Sequence, residues 1–376
     1  MKKAVVIGSG IGGLASAIRL RNKGYDVTVL EKNNYVGGKL TDFKQGEFRF
    51  DAGPSLFTMP ERVDELFEES GKKVGDYFTY SKLETLCKYF YEDGTEITAS
   101  ADINKFASEI ESKTNDSSES VVKHLKKSAF IYNTTDTLFL RKSLHKISSY
   151  LSFNTFISFL KLPFISPFFT MNNVNKKRFS DNKNQRLFNR YATYNGSNPY
   201  KAPAVLNIIP HLEFNKGAFF PDDGMISITN SIYKLAKDIG VNFELGVEVN
   251  SILVYNKKVT GVESSLGHQY TDLVVCNADI KTVFDKLLPS TKKLKKVLSQ
   301  ERSSSALIFY WGINKSFENL DLHNILFSED YKNEFEQLTE QLTICADPTV
   351  YINISSKYNP TDAPVGCENW FVMINV

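Results

Sequence analysis

The sequence predicts an α/β chain in which a nucleotide-binding domain built on a parallel sheet is interleaved with a second domain of antiparallel sheet and helices. Three stretches carry that reading: strand, glycine loop, helix and strand in succession over residues 4–31, a hairpin of different character at 88–99, and a return to helix and strands over 225–276. At 376 residues the chain exceeds one ordinary core, and a hydrophobic fraction of 42% makes it globular.

Ala4 to Ile7 is a short apolar run that stops at glycine, the pattern of a buried parallel strand. Gly8, Gly10 and Gly13 follow at G-x-G-x-x-G spacing, with Ile11 and Gly12 between them. The first glycine permits a tight turn, the second admits a pyrophosphate against the backbone, and the third lets the helix pack on the strand. Leu14, Ala17 and Ile18 recur at helical spacing, Gly24 suits the helix C-terminus, and Asp26 to Leu30 alternates into a second strand ending at Glu31. The free N–H groups at such a helix start bind anions, and Glu31 can accept from ribose hydroxyls while disfavouring a 2'-phosphate. Gly37, Gly38 and Lys39 then form a second glycine pair with a cation. A nicotinamide site has no use for that pair, whereas an extended dinucleotide needs another close backbone approach with a cation for its phosphate oxygens.

Farther on, KYFYEDGTEITA at 88–99 reads as a hairpin about Asp93-Gly94. NSILVYNKKVTGVESS reads as paired strands, and SSALIFYWGIN (304–314) and PTVYINISSKY (348–358) alternate as strands of a second sheet. Tyr233 and Lys237 have the Y-x-x-x-K spacing of short-chain dehydrogenases, but they fall on a helix without the preceding serine that such sites require, so the match is chance.

A net charge of +2, with no basic stripe among stacking aromatics, argues against nucleic acid as a partner. Cys87, Cys276, Cys345 and Cys367 are too far apart for a metal knuckle or redox pair and are expected as small buried residues in a reducing compartment. His124, His145, His211, His268 and His323 show no ligand spacing, so no metal site is expected. The first apolar run is too short for a signal segment, which places the chain in the cytoplasm.

The glycine loop, the acidic residue and the following Gly-Gly-Lys resemble the N-terminal signature of the FAD-dependent amine oxidase and phytoene desaturase superfamily. FRFDAGPSLFTMP (48–60) is similar to the segment those flavoproteins place beside the flavin ring, which implies that Gly53, Pro54 and Ser55 lie near it. Residues 189–213, 217–252 and 274–279 resemble further segments of bacterial carotenoid desaturases. GGKL and DAGPSLFTMP are most similar to the 1-hydroxycarotenoid 3,4-desaturase branch. The resemblance implies a Rossmann-like FAD-binding domain in two parts, 1–85 and 216–290, a substrate and membrane-docking domain at 86–215, and a substrate-domain sheet at 291–376. It implies FAD as cofactor, an acyclic carotenoid as substrate, and Lys32, Val249 and Asn277 as further cofactor contacts beside the glycines, Glu31 and Lys39. Phytoene desaturation is the alternative within the family. A flavin amine oxidase would need an aromatic cage for an amine. A non-catalytic prenyl-lipid carrier of the same fold would not need the intact Gly8, Gly10, Gly13, Glu31, Gly37 and Gly38.

Between Lys123 and Arg190 the chain carries thirteen Lys and Arg against Asp136 and Asp181, so this segment is +11. Inside it, ISSYLSFNTFISFLKLPFISPFFTM (147–171) holds Tyr150, Phe153, Phe156, Phe159, Phe164, Phe168 and Phe169. Lys161, Pro163 and Pro167 interrupt any span of about 20 apolar residues, so the segment does not cross a bilayer. Composition alone suits a lid packed on the core. A water-insoluble polyene substrate shifts the expectation to peripheral membrane docking, with cations meeting headgroups and rings at the interface.

Desaturation couples hydride loss to proton loss, and a conjugated chain delocalises the positive charge that results, so no strong base is required and no catalytic acid or base is assigned. The final GCENWFVMINV ends in an apolar strand. By resemblance a second glycine-rich FAD motif would follow. The expectation is therefore a fragment that leaves the strand near Asn369 with unprotected apolar surface, has a flavin site of one wall, binds FAD weakly and aggregates.

Overall fold

The computed structural model describes residues 1–136, 165–166, 168–288, 298–300 and 302–376, in two compact units. One comprises residues 1–81 and 219–302, the other 82–218 and 303–376. His145, Lys161 and the aromatic residues Tyr150 to Phe164 lie outside the described residues.

The first unit is organised by a four-stranded parallel sheet in the order Asn242–Leu245, Asp26–Glu31, Lys3–Ile7, Leu273–Cys276. The central strand is apolar on both faces because both faces are covered. On one side Ala4 and Val6 pack with Leu14, Ala17 and Ile18 of the helix Ile11–Asn22 and with Ile232 and Leu235 of the helix Ile226–Asp238. On the other, Val5, Ile7 and Leu30 meet Val249, Ile252 and Val262 of a three-stranded antiparallel sheet. Cutting a fully buried residue such as Ile18 to alanine would cost about 2–5 kcal/mol. The hairpin of Val249–Tyr255 and Lys258–Ser264 turns through Asn256 and Lys257, both with positive φ.

The second unit holds a six-stranded sheet in the order Ala306–Ile313, Glu368–Asn375, Val350–Asn353, His323–Leu326, Thr85–Phe90, Glu96–Ser100. Its pairings are antiparallel except that His323–Leu326 runs parallel to Thr85–Phe90. The hairpin expected at 88–99 forms, with Gly94 in its loop donating to the Tyr91 carbonyl at 3.0 Å.

Three expectations need correction. The strand Glu368–Asn375 is not an unprotected edge, since it pairs with a neighbour on each flank, and Phe371 and Val372 are buried. The exposed apolar row belongs instead to the outer strand, at Leu307, Phe309 and Trp311. Residues 348–358 are not one strand: pairing ends at Asn353, and Ser355–Lys357 makes a 3-10 turn held where Asn369 Nδ2 donates to Ser355 Oγ at 2.8 Å. Cys87 and Cys345 are buried, but Cys276 and Cys367 are only half-buried.

The segment 189–213 acquires a physical meaning in this unit. Arg190 and Glu213, near its two ends, form a buried ion pair at 3.3 Å. The Arg190 guanidinium also donates to the Tyr89 hydroxyl at 2.9 Å and lies 4.1 Å from the centre of the Tyr191 ring, while the Tyr191 and Tyr194 hydroxyls donate to Glu213.

Candidate dinucleotide site

The loop after the first strand is shaped by close backbone contacts. A Cβ on Gly13 would fall 2.0 Å from the Gly8 carbonyl oxygen, so only glycine lets the helix start this near the strand. The second glycine pair lies directly against the first: Gly37 N donates to Ser9 O at 2.9 Å, and a Cβ on Gly38 would meet Gly10 Cα at 3.1 Å. Backbone-to-backbone packing is thus one reason for Gly37 and Gly38 that the sequence did not disclose.

Helix Ile11–Asn22 begins at Gly10 with no side-chain cap and no acidic residue in its first turn. Its leading N–H groups and the positive end of its dipole are left to a ligand. Glu31, at the end of the neighbouring strand, is buried; its Oε2 accepts from Ser9 N at 2.7 Å and Ser9 Oγ at 2.8 Å, and its Oε1 accepts from Asn33 N at 2.9 Å. The carboxylate therefore braces the glycine loop, and Oε1 keeps acceptor capacity on the cleft side. Ser9 and Asn33 were not among the residues read from sequence.

These groups border a cleft of about 880 Å³, a size that suits an extended cofactor. Gly8, Gly10, Ile11, Glu31, Lys32, Gly37, Gly38, Lys39, Pro54, Val249 and Asn277 line it. Gly12 and Gly13 sit behind the lining, in the helix start, and the Asn277 side chain lies close to both. Gly53 and Ser55 do not line it; a Cβ on Gly53 would fall 1.8 Å from the Lys39 carbonyl oxygen, so this residue packs under the second glycine pair. Val247 to Asn250, and Ala278, Asp279, Thr282, Lys286 and Leu287, form a further part of the lining. Hydrogen bonds from Gly246 N to Asn33 O (3.0 Å) and Val247 N to Glu31 O (2.8 Å) tie the first of these stretches to the end of the second strand.

Asp51, the acid of the segment compared with flavin-proximal sequences, has a structural task. It accepts from Met225 N at 3.1 Å and Ile226 N at 3.3 Å, at the start of helix Ile226–Asp238, and from Arg49 at 2.7 Å. Burial raises its pKa despite the opposing Arg49 charge. Among the described residues no group of three or more His, Cys, Asp or Glu side chains forms a metal site.

Open helix start, bracing carboxylate and paired glycine loops on a parallel sheet define a dinucleotide-binding protein with an interleaved second unit. A family model for NAD(P)-binding Rossmann-like domains matches residues 6–70. The 1-hydroxycarotenoid 3,4-desaturase of Flavobacterium sp. (strain P99-3) is 51% identical over 375 residues, which covers 100% of this chain and 76% of the relative. The 4,4'-diaponeurosporene oxygenase of Staphylococcus haemolyticus (strain JCSC1435) is 31% identical over 380 residues, covering 100% and 75%. An oxidoreductase crystal structure from Methanosarcina mazei shares the fold, with a TM-score of 0.67 at 18% identity, covering 100% of this chain and 79% of that one. The chain belongs to the carotenoid desaturase family of FAD-dependent oxidoreductases.

Proposed function

We propose that the chain removes two hydrogens from a CH–CH unit beside the polyene of a 1-hydroxylated acyclic carotenoid, with FAD in the cleft of the first unit. The observation that carries this reading is the 51% identity over the whole chain to a desaturase named for that substrate. FAD, when bound, supplies the acceptor for the hydride. The chain's residues do the placing: Gly8, Gly10, Ile11, Gly12 and Gly13 present the helix start to the pyrophosphate, and Glu31 takes a ribose hydroxyl. Lys32 and Lys39 stand at the phosphates, Gly37 and Gly38 hold the loop, Val249 and Asn277 border the far side, and Gly53, Pro54 and Ser55 lead toward the ring. The second hydrogen leaves as a proton, and delocalisation along the polyene makes its departure easy without a dedicated base. The unit of residues 1–81 and 219–302 is accordingly the FAD-binding domain, and the other is the substrate domain.

The substrate is insoluble in water, so the same reading includes docking on a bilayer through the +11 segment. Phe168 is 96% exposed, and among the described residues no helix is long and apolar enough to cross a membrane. Sedimentation with anionic liposomes should be strong at low salt and weaken as salt rises, because screening acts over roughly 10 Å at 0.1 M. Indifference to lipid charge and to salt would favour a lid packed on the core.

Pigment spectra of cells that make either phytoene or a 1-hydroxylated carotenoid test the substrate. A red shift with the hydroxylated pigment is expected, and one only with phytoene would overturn the choice. Oxygenation is the second reading, favoured by the 31% relatives, and would add oxygen to the product.

A further inference from the structure

Gly12 occupies a position of the G-x-G-x-x-G spacing that does not call for glycine. It lies in the helix Ile11–Asn22, where alanine is the better helix former, and behind the cleft lining. Its reason is a side chain that arrives from a distant strand. A Cβ on Gly12 would fall 2.6 Å from Asn277 Oδ1, and one on Gly10 would fall 3.0 Å from Asn277 Nδ2.

Asn277 follows the strand Leu273–Cys276, and its backbone N–H donates to Ile7 O at 2.8 Å, which sets it beside the end of the first strand. From there its amide spans the loop from Gly10 to Gly12, over the helix start. The chemistry of the helix fixes which way the amide faces. Its leading N–H groups are donors, so the acceptor Oδ1 belongs over Gly12 and the donor Nδ2 is left at Gly10. Gly10 and Asn277 both line the cleft, and Asn277 is exposed. An amide suits this place where a carboxylate would not: its oxygen meets the positive end of the helix while its N–H groups meet an anion.

We propose that Asn277 Nδ2 donates to the pyrophosphate of the bound dinucleotide, and that residue 12 is glycine so that the amide can hold this orientation. The proposal rests on the FAD reading above and assigns one side-chain donor to one group of the cofactor. Flavin fluorescence reads FAD affinity, and thermal unfolding of flavin-free protein reads the fold. Asn277→Ala should weaken FAD binding about tenfold, as loss of one charge-assisted hydrogen bond allows. Gly12→Ala should weaken it by a similar factor, because the methyl displaces the amide, with no fall in the unfolding temperature of flavin-free protein. The two changes together should be no worse than Asn277→Ala alone, since the methyl then displaces nothing. Asn277→Asp keeps the size of the side chain, so a role in packing would survive it. It should weaken FAD binding more than Asn277→Ala, while flavin-free protein unfolds no earlier than the parent, because a carboxylate suits the helix start and repels the phosphates.

Penalties that add in the double variant, or FAD held by Asn277→Asp as tightly as by the parent, would overturn the assignment and leave the cofactor reading standing. Failure of the parent itself to bind FAD would overturn both.

Discussion

Two alanine substitutions in one loop should fail in opposite ways. At Gly13 the new methyl carbon would sit 2.0 Å from the Gly8 carbonyl oxygen and 3.1 Å from its carbon, both backbone atoms in a packed strand. Relief requires the helix to withdraw by about 1 Å from the sheet, and overpacking of this kind costs about 1–3 kcal/mol or more. At Gly10 the nearest atom is Asn277 Nδ2 at 3.0 Å, the end of a side chain that can move, and φ of −62° with ψ of 169° is allowed to alanine. Gly10→Ala should therefore change the stability of flavin-free protein by less than about 1 kcal/mol. Gly10 lines the cleft, so its methyl displaces the pyrophosphate from the helix start. Loss of one or two charge-assisted hydrogen bonds, each about 1.5–3 kcal/mol, should weaken FAD binding by roughly tenfold to several hundredfold or more. Calorimetric unfolding of flavin-stripped protein and FAD titration by flavin fluorescence separate the two effects. The reasoning is refuted if Gly10→Ala binds FAD like the parent, or if Gly13→Ala unfolds at the parent's temperature.

Further outcomes follow from buried charge. Glu213→Ala leaves the Arg190 guanidinium buried without its carboxylate and should lower stability by about 3–5 kcal/mol, read from denaturant midpoints; a loss below 1 kcal/mol would mean that the three tyrosines suffice. His124 and His323 are held neutral by burial, with pKa values pushed down to about 3. Folded-state values below the unfolded value of about 6.5 give stability that is complete above that pH and declines toward pH 3. Each ring should contribute a loss of about 2 kcal/mol between pH 7 and 5. Asp51 and Glu334, with raised pKa values, act in the opposite sense, so the contribution is read as the difference between parent and His124→Gln. A pH slope identical in the two proteins would contradict it.

The strand, loop and helix over residues 3–31 were legible because their signals are local: glycine spacing, a period of 3.6 and an apolar run bounded by turns. The rest of the cleft lining was only partly legible. Val247 to Asn250 and Ala278 to Leu287 reach it because Asn242–Leu245 and Leu273–Cys276 join the sheet on either side of the first two strands, an order no local pattern encodes. Side-chain duties were the least visible. Glu31 signals a ribose partner but not its bonds to Ser9 and Asn33, and Asp51 resembles a flavin neighbour while it caps a helix whose start lies 174 and 175 residues away. Glu368–Asn375 looked like an exposed end because a central strand and an unfinished one have the same apolar sequence; only pairing on both flanks distinguishes them.

FAD-dependent removal of two hydrogens from a hydroxylated acyclic carotenoid is the reaction proposed for this chain. The most direct measurement is the mass of the product formed when the protein, supplied with excess FAD, is incubated with a 1-hydroxylated carotenoid in liposomes. A product lighter by two hydrogens, with no added oxygen and formed only when FAD is present, is expected. A product that gains oxygen, or turnover unaffected by omitting FAD, would contradict it.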